Sequence, residues 1–372
     1  MGQKKIKITE LYIYPIKSLR PLSVPSAQLR REGLQYDRRF MLLKVEADGR
    51  YKNIQTLYFP ECTLLYQAID DDHVVVTYRI PEKPLIDPPP PEQNTALRIP
   101  LNPSIDGSEV VDIKLFGSNT TAYRMGEPYD AWFSACLGYS AILVYIGDNR
   151  RPVLAHSPKP EPQQQSDSWF SSITSFIPLP YHKQSKTKYE PTGLAFNEAA
   201  PFLLTSKASL RDVSARLPEG ETMDMIKFRP NIVVDEVSDH DSSSGDDDEE
   251  ELSILNAWDE DFWAELLVRD SHRLALTANC ARCISINIDY DTGRPAKGEM
   301  GSVLKKLMKD RRVDAGNKWS PIFGRYAFLL PPLLTKNGTN NEEGELVADV
   351  AVGDEIKVTR RTSERDVWAW PK

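Results

Sequence analysis

Residues 279 to 293, NCARCISINIDYDTG, set Cys280 and Cys283 three apart with Arg282 between them. The chain holds only four cysteines, so this pair is the first place to look for chemistry. Three chemistries suit such a pair: a bridge or redox dithiol, half of a zinc site, or one thiolate offered to something else. A structural zinc site needs four ligands. Cys62 and Cys136 stand alone, however, and the five histidines show no paired spacing. A thioredoxin-type pair opens a helix, whose N-terminus lowers the thiol pKa. Here Ile284, Ile286 and Ile288 alternate with Ser285 and Asn287, which is the pattern of a strand. If that register reaches back to the pair, Cys283 shares a face with Ser285 and Asn287 and looks into a polar space. Arg282 beside it favours thiolate over thiol. No Cys–His–Asn arrangement supplies a base for nucleophilic catalysis. A soft metal ligand is therefore the leading reading of Cys283, with the metal left open by spacing alone. Two simply buried thiols are the bland alternative.

The elements that must position this pair are mostly short strands. KIKITELYIYPIKSL alternates Ile6, Ile8, Leu11 and Ile13 before a break at Pro15, and strand patterns recur at RRFMLLKVEA, HVVVTYRI, VVDIKLFG and AILVYIG. EPYDAWFSACLG places Trp132, Cys136 and Leu137 at helical spacing with a stop at Gly138, which makes Cys136 a core residue. APFLLTSKASLRDVSARL reads as a strand, a turn at Ser206 and a helix with Leu210, Val213 and Leu217 on one side; MIKFRPNIVVDE reads as a further strand. After the cysteines come a helix at GSVLKKLMKDRR, the segment SPIFGRYAFLL and a closing strand at GDEIKVTRR. Short strands with interspersed helices and no βαβ alternation predict a mixed α+β, mostly β fold with a barrel-like antiparallel core.

Two stretches break the pattern. Residues 151–192 are rich in Pro, Ser and Gln and read as an insertion or linker. Within them Trp169, Phe170, Ile173, Phe176 and Ile177 would line one face of a short helix, docked on its own domain or bound to lipid or a partner. The run DHDSSSGDDDEEE lacks the ligand spacing of a calcium loop and reads as a solvated insertion, within 236–253.

At 372 residues and 42.2 kDa, with 27% charged residues and a mean hydropathy of −0.45, the chain reads as soluble and globular, with room for two domains. No window approaches the roughly 18 unbroken apolar residues of a membrane helix. The start, MGQKKIKITELYIYP, goes directly into a strand pattern rather than a signal peptide, and Ile6 disfavours myristoylation at Gly2. A few thiols without an export signal lead to the expectation of a reducing, cytoplasmic setting. The net charge of −8 argues against nucleic acid as the main partner and leaves room for a basic protein.

LYIYPIKSL, YDRRFMLL, APFLLTSKASL, FRPNIVV, CARCISINIDYDTG and SPIFGRYAFLL, in this order, resemble the MOSC-domain molybdenum proteins, and among them the mitochondrial amidoxime-reducing components. The resemblance implies an N-terminal β-barrel-like domain at 5–150 and a MOSC β-barrel domain with flanking helices at 193–362. It implies a molybdenum–molybdopterin cofactor whose metal is held by Cys283, with Cys280 outside the metal shell. Lys17, Ser18, Arg39, Ser206, Arg229, Asn231 and Arg282 match cofactor contacts, and Tyr326 matches an aromatic lining the site. Glu198 stands where close relatives carry an aspartate, one methylene shorter, and is expected to relay protons. These residue types suit the cofactor: its phosphate attracts Lys and bidentate Arg, and its heterocycle wants amide and hydroxyl partners. For each arginine taken alone, a surface ion pair is the alternative.

The activity implied is a molybdenum-dependent oxidoreductase that reduces N-hydroxylated or similar small molecules. Its electrons would come from a separate donor, such as cytochrome b5 with its NADH-dependent reductase. The alternative is a cofactor or sulfur carrier related to the C-terminal part of molybdenum cofactor sulfurases; a third class is an adaptor whose insertions recruit partners. The targeting and membrane segment of the animal relatives has no match here. The expected location is therefore cytoplasmic, or peripheral to a mitochondrial or other membrane.

Overall fold

Ile8, Leu11 and Ile13 are buried along the first strand, β1 (Lys4–Ile13), where a register shift between Ile8 and Glu10 brings the odd-spaced Ile8 and Leu11 to the same side. The computed structural model describes residues 4–158, 193–238, 253–331 and 346–371; the Trp169–Ile177 segment and the acidic run 239–252 lie outside the described residues. Six further strands join β1: β2 (Phe202–Ser206), β3 (Ile232–Ser238), β4 (Trp263–Val268), β5 (His272–Ala281), β6 (Ile322–Leu330) and β7 (Glu355–Arg361). They run in the order β3-β2-β6-β5-β4-β7-β1, and β1 pairs back onto β3 to close a seven-stranded barrel. Only β2 and β3 pair in parallel, and the helix Lys207–Ser214 lies on the connection between them. Phe202, Leu204, Ile232, Trp263, Leu266 and Leu274 pack together in the interior. Gly324 lets β6 approach β2 closely: its φ is +82°, and a Cβ there would stand 2.8 Å from the Leu204 carbonyl oxygen.

The second unit is a nearly closed barrel. A five-stranded sheet (Val110–Leu115, Ser118–Arg124, Ala141–Tyr145, Phe40–Val45, Tyr51–Asn53) faces a three-stranded one (Leu65–Asp70, His73–Tyr78, Ala96–Pro100). Phe40, Leu42, Leu64, Val74 and Val76 fill its core with Phe133 and Cys136 from the helix Tyr129–Leu137. That helix ends at Gly138 in the left-handed region, where the sequence pattern stops it. The fold is thus mostly β with a few short helices, as the patterning predicts. β1, at the start of the segment read as the first domain, is a stave of the MOSC-side barrel, so residues 14–20 cross between the two units.

The structure corrects the strand predicted after the cysteine pair. The long strand, β5, comes before the pair and ends at Ala281, and Ile284–Asn287 is a 3-10 turn. Asn287 holds the turn through its side-chain amide, donating to the Gly301 carbonyl (2.7 Å) and accepting from the Leu304 N–H (3.0 Å). The three isoleucines therefore do not share a face: Ile286 packs with Phe228 and Phe323, whereas Ile284 is half exposed. In the same way, Met225–Phe228 is a 3-10 turn and its strand begins only at Ile232, after Pro230.

Candidate functional site

β5 carries Cys280 into the protein, and the Arg282 N–H then bonds the Pro321 carbonyl (2.8 Å), holding the chain end against the start of β6. Cys280, Cys62 and Cys136 are buried, so Cys283 is the one exposed thiol of the four. Its sulfur lies 3.1 Å from the Ser285 hydroxyl. Cys283 is exposed because it caps a turn at the end of a strand, not because of the alternation that the sequence suggested.

Arg282 is buried beneath this thiol. Its Nη1 donates to the Cys280 sulfur (2.9 Å) and its Nη2 to the Phe228 carbonyl (2.8 Å), while its Nε is buried without a partner among the described residues. Tyr326, from β6, is buried against Cys280. Burial pushes the Cys280 thiol up, with Arg282 opposing it, and burial beside Cys280 pushes the Tyr326 phenol well up. The exposed Glu198 carboxylate acts electrostatically on Cys280, Arg282 and Tyr326, and on Lys17 and Arg151 behind them.

Lys17 lies on the crossing segment. Its Nζ donates to the Phe196 carbonyl (2.9 Å) and sits 4.7 Å from the centroid of the Phe116 ring. Burial, reinforced by Arg38, holds its pKa well below the ordinary lysine value. Arg229 has a left-handed backbone (φ +55°), donates to the Leu19 carbonyl (3.0 Å) and stacks 4.4 Å from the Tyr14 ring centroid. Arg151 bonds the carbonyls of Ala195, Leu115 and Glu198 and the Ser118 hydroxyl, and burial lowers its pKa to about 10. Carbonyls, ring faces, a hydroxyl and a thiol answer these four cations; among the described residues no carboxylate bonds any of them. Buried charge of this sort is costly unless an anion is bound. The arrangement fits an anionic ligand.

The structure draws Lys17, Arg229, Arg282, Tyr326, Glu198 and Cys283 into one electrostatically linked group. The remaining predicted residues are engaged locally. The Ser18 hydroxyl donates to the Ile54 carbonyl (3.0 Å), and buried Ser206 caps the helix Lys207–Ser214 by accepting from the Ala208 N–H (3.1 Å). Asn231 accepts from the Leu203 N–H (3.2 Å) and donates to the Tyr12 carbonyl (3.2 Å), tying β1 to the β2–β3 region. Arg39 turns to the Tyr145 hydroxyl (3.1 Å) and the Gly147 carbonyl (2.6 Å). Its neighbour Arg38, which sequence reasoning missed, instead faces Tyr14, Asn231 and Arg229. Arg38 lies in a turn with a left-handed backbone (φ +50°), a geometry that the doubled arginine of YDRR does not betray. Asp37, also missed, joins this network by accepting from the Tyr14 N–H (2.8 Å), the Asn231 amide (3.2 Å), the Asn197 amide (3.3 Å) and Arg38.

Residues 5–140 match the MOSC N-terminal beta barrel domain and residues 191–357 match the MOSC domain. Mitochondrial amidoxime-reducing component 1 of Mus musculus is 26% identical over 331 residues, covering 87% of this chain and 78% of that protein. The Homo sapiens protein of the same name is 25% identical over 341 residues, covering 89% and 81%. A molybdenum cofactor sulfurase of Neosartorya fischeri is 25% identical over 369 residues, covering 92% of this chain but 39% of that larger protein. No helix among the described residues is long and apolar enough to cross a membrane. With both domain models matched in order, the chain is a MOSC-domain protein with the N-terminal β-barrel domain that accompanies it, similar to the mitochondrial amidoxime-reducing components.

Proposed function

We propose that this chain binds a molybdenum–molybdopterin cofactor and acts as an oxidoreductase that reduces N-hydroxylated or similarly oxidised small molecules. The observation that carries the reading is the exposed Cys283 thiol set over Arg282, with Lys17 and Arg229 buried nearby and, among the described residues, bonded to no carboxylate. Among the described residues no three His, Cys, Asp or Glu side chains converge on a metal. A metal held by Cys283 must therefore bring its other ligands with it, as a pterin cofactor does. The orphaned Nε of Arg282 and the cations without carboxylates fit such an anionic group.

In this reading Cys283 holds the metal, and Lys17, Arg229 and Arg282 bind and orient the anionic cofactor. When bound, the cofactor supplies two-electron redox chemistry that the side chains lack. Tyr326 walls off the buried side, where Cys280 stays a thiol. Glu198, exposed but within electrostatic reach of Tyr326 and Arg282, holds a proton on its carboxylate and delivers it toward the oxygen leaving the substrate. Electrons come from a separate protein; a cytochrome b5 with its NADH-dependent reductase is the donor we would test first. The test is reduction of an amidoxime by the cofactor-loaded chain with a reduced dye as donor, expected to proceed and to stop in Cys283→Ser.

The similarity to a cofactor sulfurase favours one competing reading, a carrier of cofactor or sulfur. Cofactor that stays bound, reduces no N-hydroxylated compound and passes to an acceptor protein would support the carrier instead.

A further inference from the structure

The strand pairing that leads to Cys283 leads also to two exposed apolar residues just beyond its last tie. Ala281 lies opposite Ile322, and the Arg282–Pro321 bond is the last tie between the two chains before they part. Cys283 and Ile284 follow on one chain; Ser320 and Trp319 precede on the other. Ile284 is 50% exposed and Trp319 is 79% exposed, the most exposed large apolar side chain among the described residues. No ring contact holds the Trp319 indole in place among the described residues. Most tryptophans bury their large apolar area, so one left open beside the single exposed thiol calls for an occupant.

We infer that Trp319 and Ile284 form an apolar substrate subsite at the mouth of the Cys283 site, selecting planar, apolar small molecules. Area decides between a small molecule and a docked protein. The two side chains offer together at most a few hundred Å², whereas a stable protein interface takes roughly 800 Å² from each partner. One ring laid on the indole matches that size. Trp319 is thus a specificity-determining residue whose loss spares small substrates. This rests on the reading of Cys283 as the reacting centre, which metal content tests separately.

The experiment needs no cofactor. Cys283 is the only exposed thiol, so maleimides label the full chain at one position. The labelling rates of N-phenylmaleimide and N-methylmaleimide are measured, each divided by its rate with free cysteine. The subsite predicts a phenyl-to-methyl preference of about ten-fold, since a stacked ring is worth on the order of one factor of ten. Trp319→Ala should bring that ratio close to one while leaving the methyl rate unchanged, and Ile284→Ala should reduce it in part. A ratio near one in the unmodified chain, or a preference that survives Trp319→Ala, would overturn the subsite. Either result leaves the metal assignment of Cys283 untouched.

Discussion

Arg282 donates to the sulfur of Cys280 at 2.9 Å, so the two cysteines of the pair are not equivalent. Cys280 is committed to the interior, between a guanidinium and the Tyr326 ring, and its thiol is pushed up by burial. Cys283 is left at the surface, two residues from a hydroxyl and directly after the buried cation. A spacing that sequence alone reads as a symmetrical pair is thus divided into a structural thiol and a free one.

The buried cations should strain the protein when no anion is bound. Lys17→Met keeps the length of the side chain and removes a charge held well below its ordinary pKa. The cofactor-free variant should be more stable by on the order of 1 kcal/mol, about 1–2 °C in Tm for a chain of this length, while retaining less cofactor. The pH dependence has a definite sign. A lysine whose folded pKa is depressed gives up its proton earlier in the native state, so native stability rises with pH between that depressed value and about 10.5. Lys17→Met should lose that rise. Calorimetry across alkaline pH checks both points.

Asp37 gathers the Tyr14 N–H, two side-chain amides and Arg38 from four separate segments. Asp37→Ala takes the acceptor from the Tyr14 N–H and the carboxylate from buried Arg38, while the two amides keep the Tyr12 and Pro201 carbonyls. A loss of about 3–5 kcal/mol in unfolding free energy is expected, measured by denaturant titration of the cofactor-free chain. A loss under 1 kcal/mol would mean that the network does not brace the site.

Away from the site, Glu260 is buried, bonds the Ser209 hydroxyl at 2.8 Å and leaves its Oε1 without a partner among the described residues. Burial pushes its pKa up to about 7. Between its unfolded value, about 4.5, and 7 the native state holds this proton more tightly than the unfolded chain does. Stability should fall across that window as pH rises, by on the order of 3 kcal/mol at most. Glu260→Gln should flatten the fall, which thermal melts from pH 4 to 8 would register.

Glu198 is exposed, yet it acts on Tyr326, Arg282 and Lys17 together. If it delivers protons, Glu198→Gln in the cofactor-loaded chain should keep its molybdenum and lose roughly 10²-fold or more in turnover. Unchanged turnover at full metal content would return this residue to a purely electrostatic role.

Much of this architecture is legible in local pattern. Period-two alternation marks the strands around Val74 and Val110, because each buries one face, whereas the unbroken apolar run from Phe40 marks a strand buried on both faces. The Ile284–Ile288 alternation misled because a side-chain clamp, Asn287 on Gly301 and Leu304, bends the chain into a turn, and local periodicity cannot register a partner fourteen residues away. That Arg38 rather than Arg39 meets Tyr14 and Asn231 was hidden for a related reason: a turn with a left-handed backbone at Arg38 aims the side chain, and its partners lie far off in sequence. Lys17, Arg229 and Arg282 were named through resemblance; that no carboxylate among the described residues bonds them is visible only in three dimensions.

The most direct measurement is molybdenum per chain in Cys283→Ser beside Cys280→Ser, both purified from cells that make the cofactor. The inequivalence of the two thiols predicts that Cys283→Ser loses nearly all its metal. Cys280→Ser should keep most of it, since a serine hydroxyl still accepts from Arg282. Equal losses in the two variants, or full retention in Cys283→Ser, would contradict the assignment.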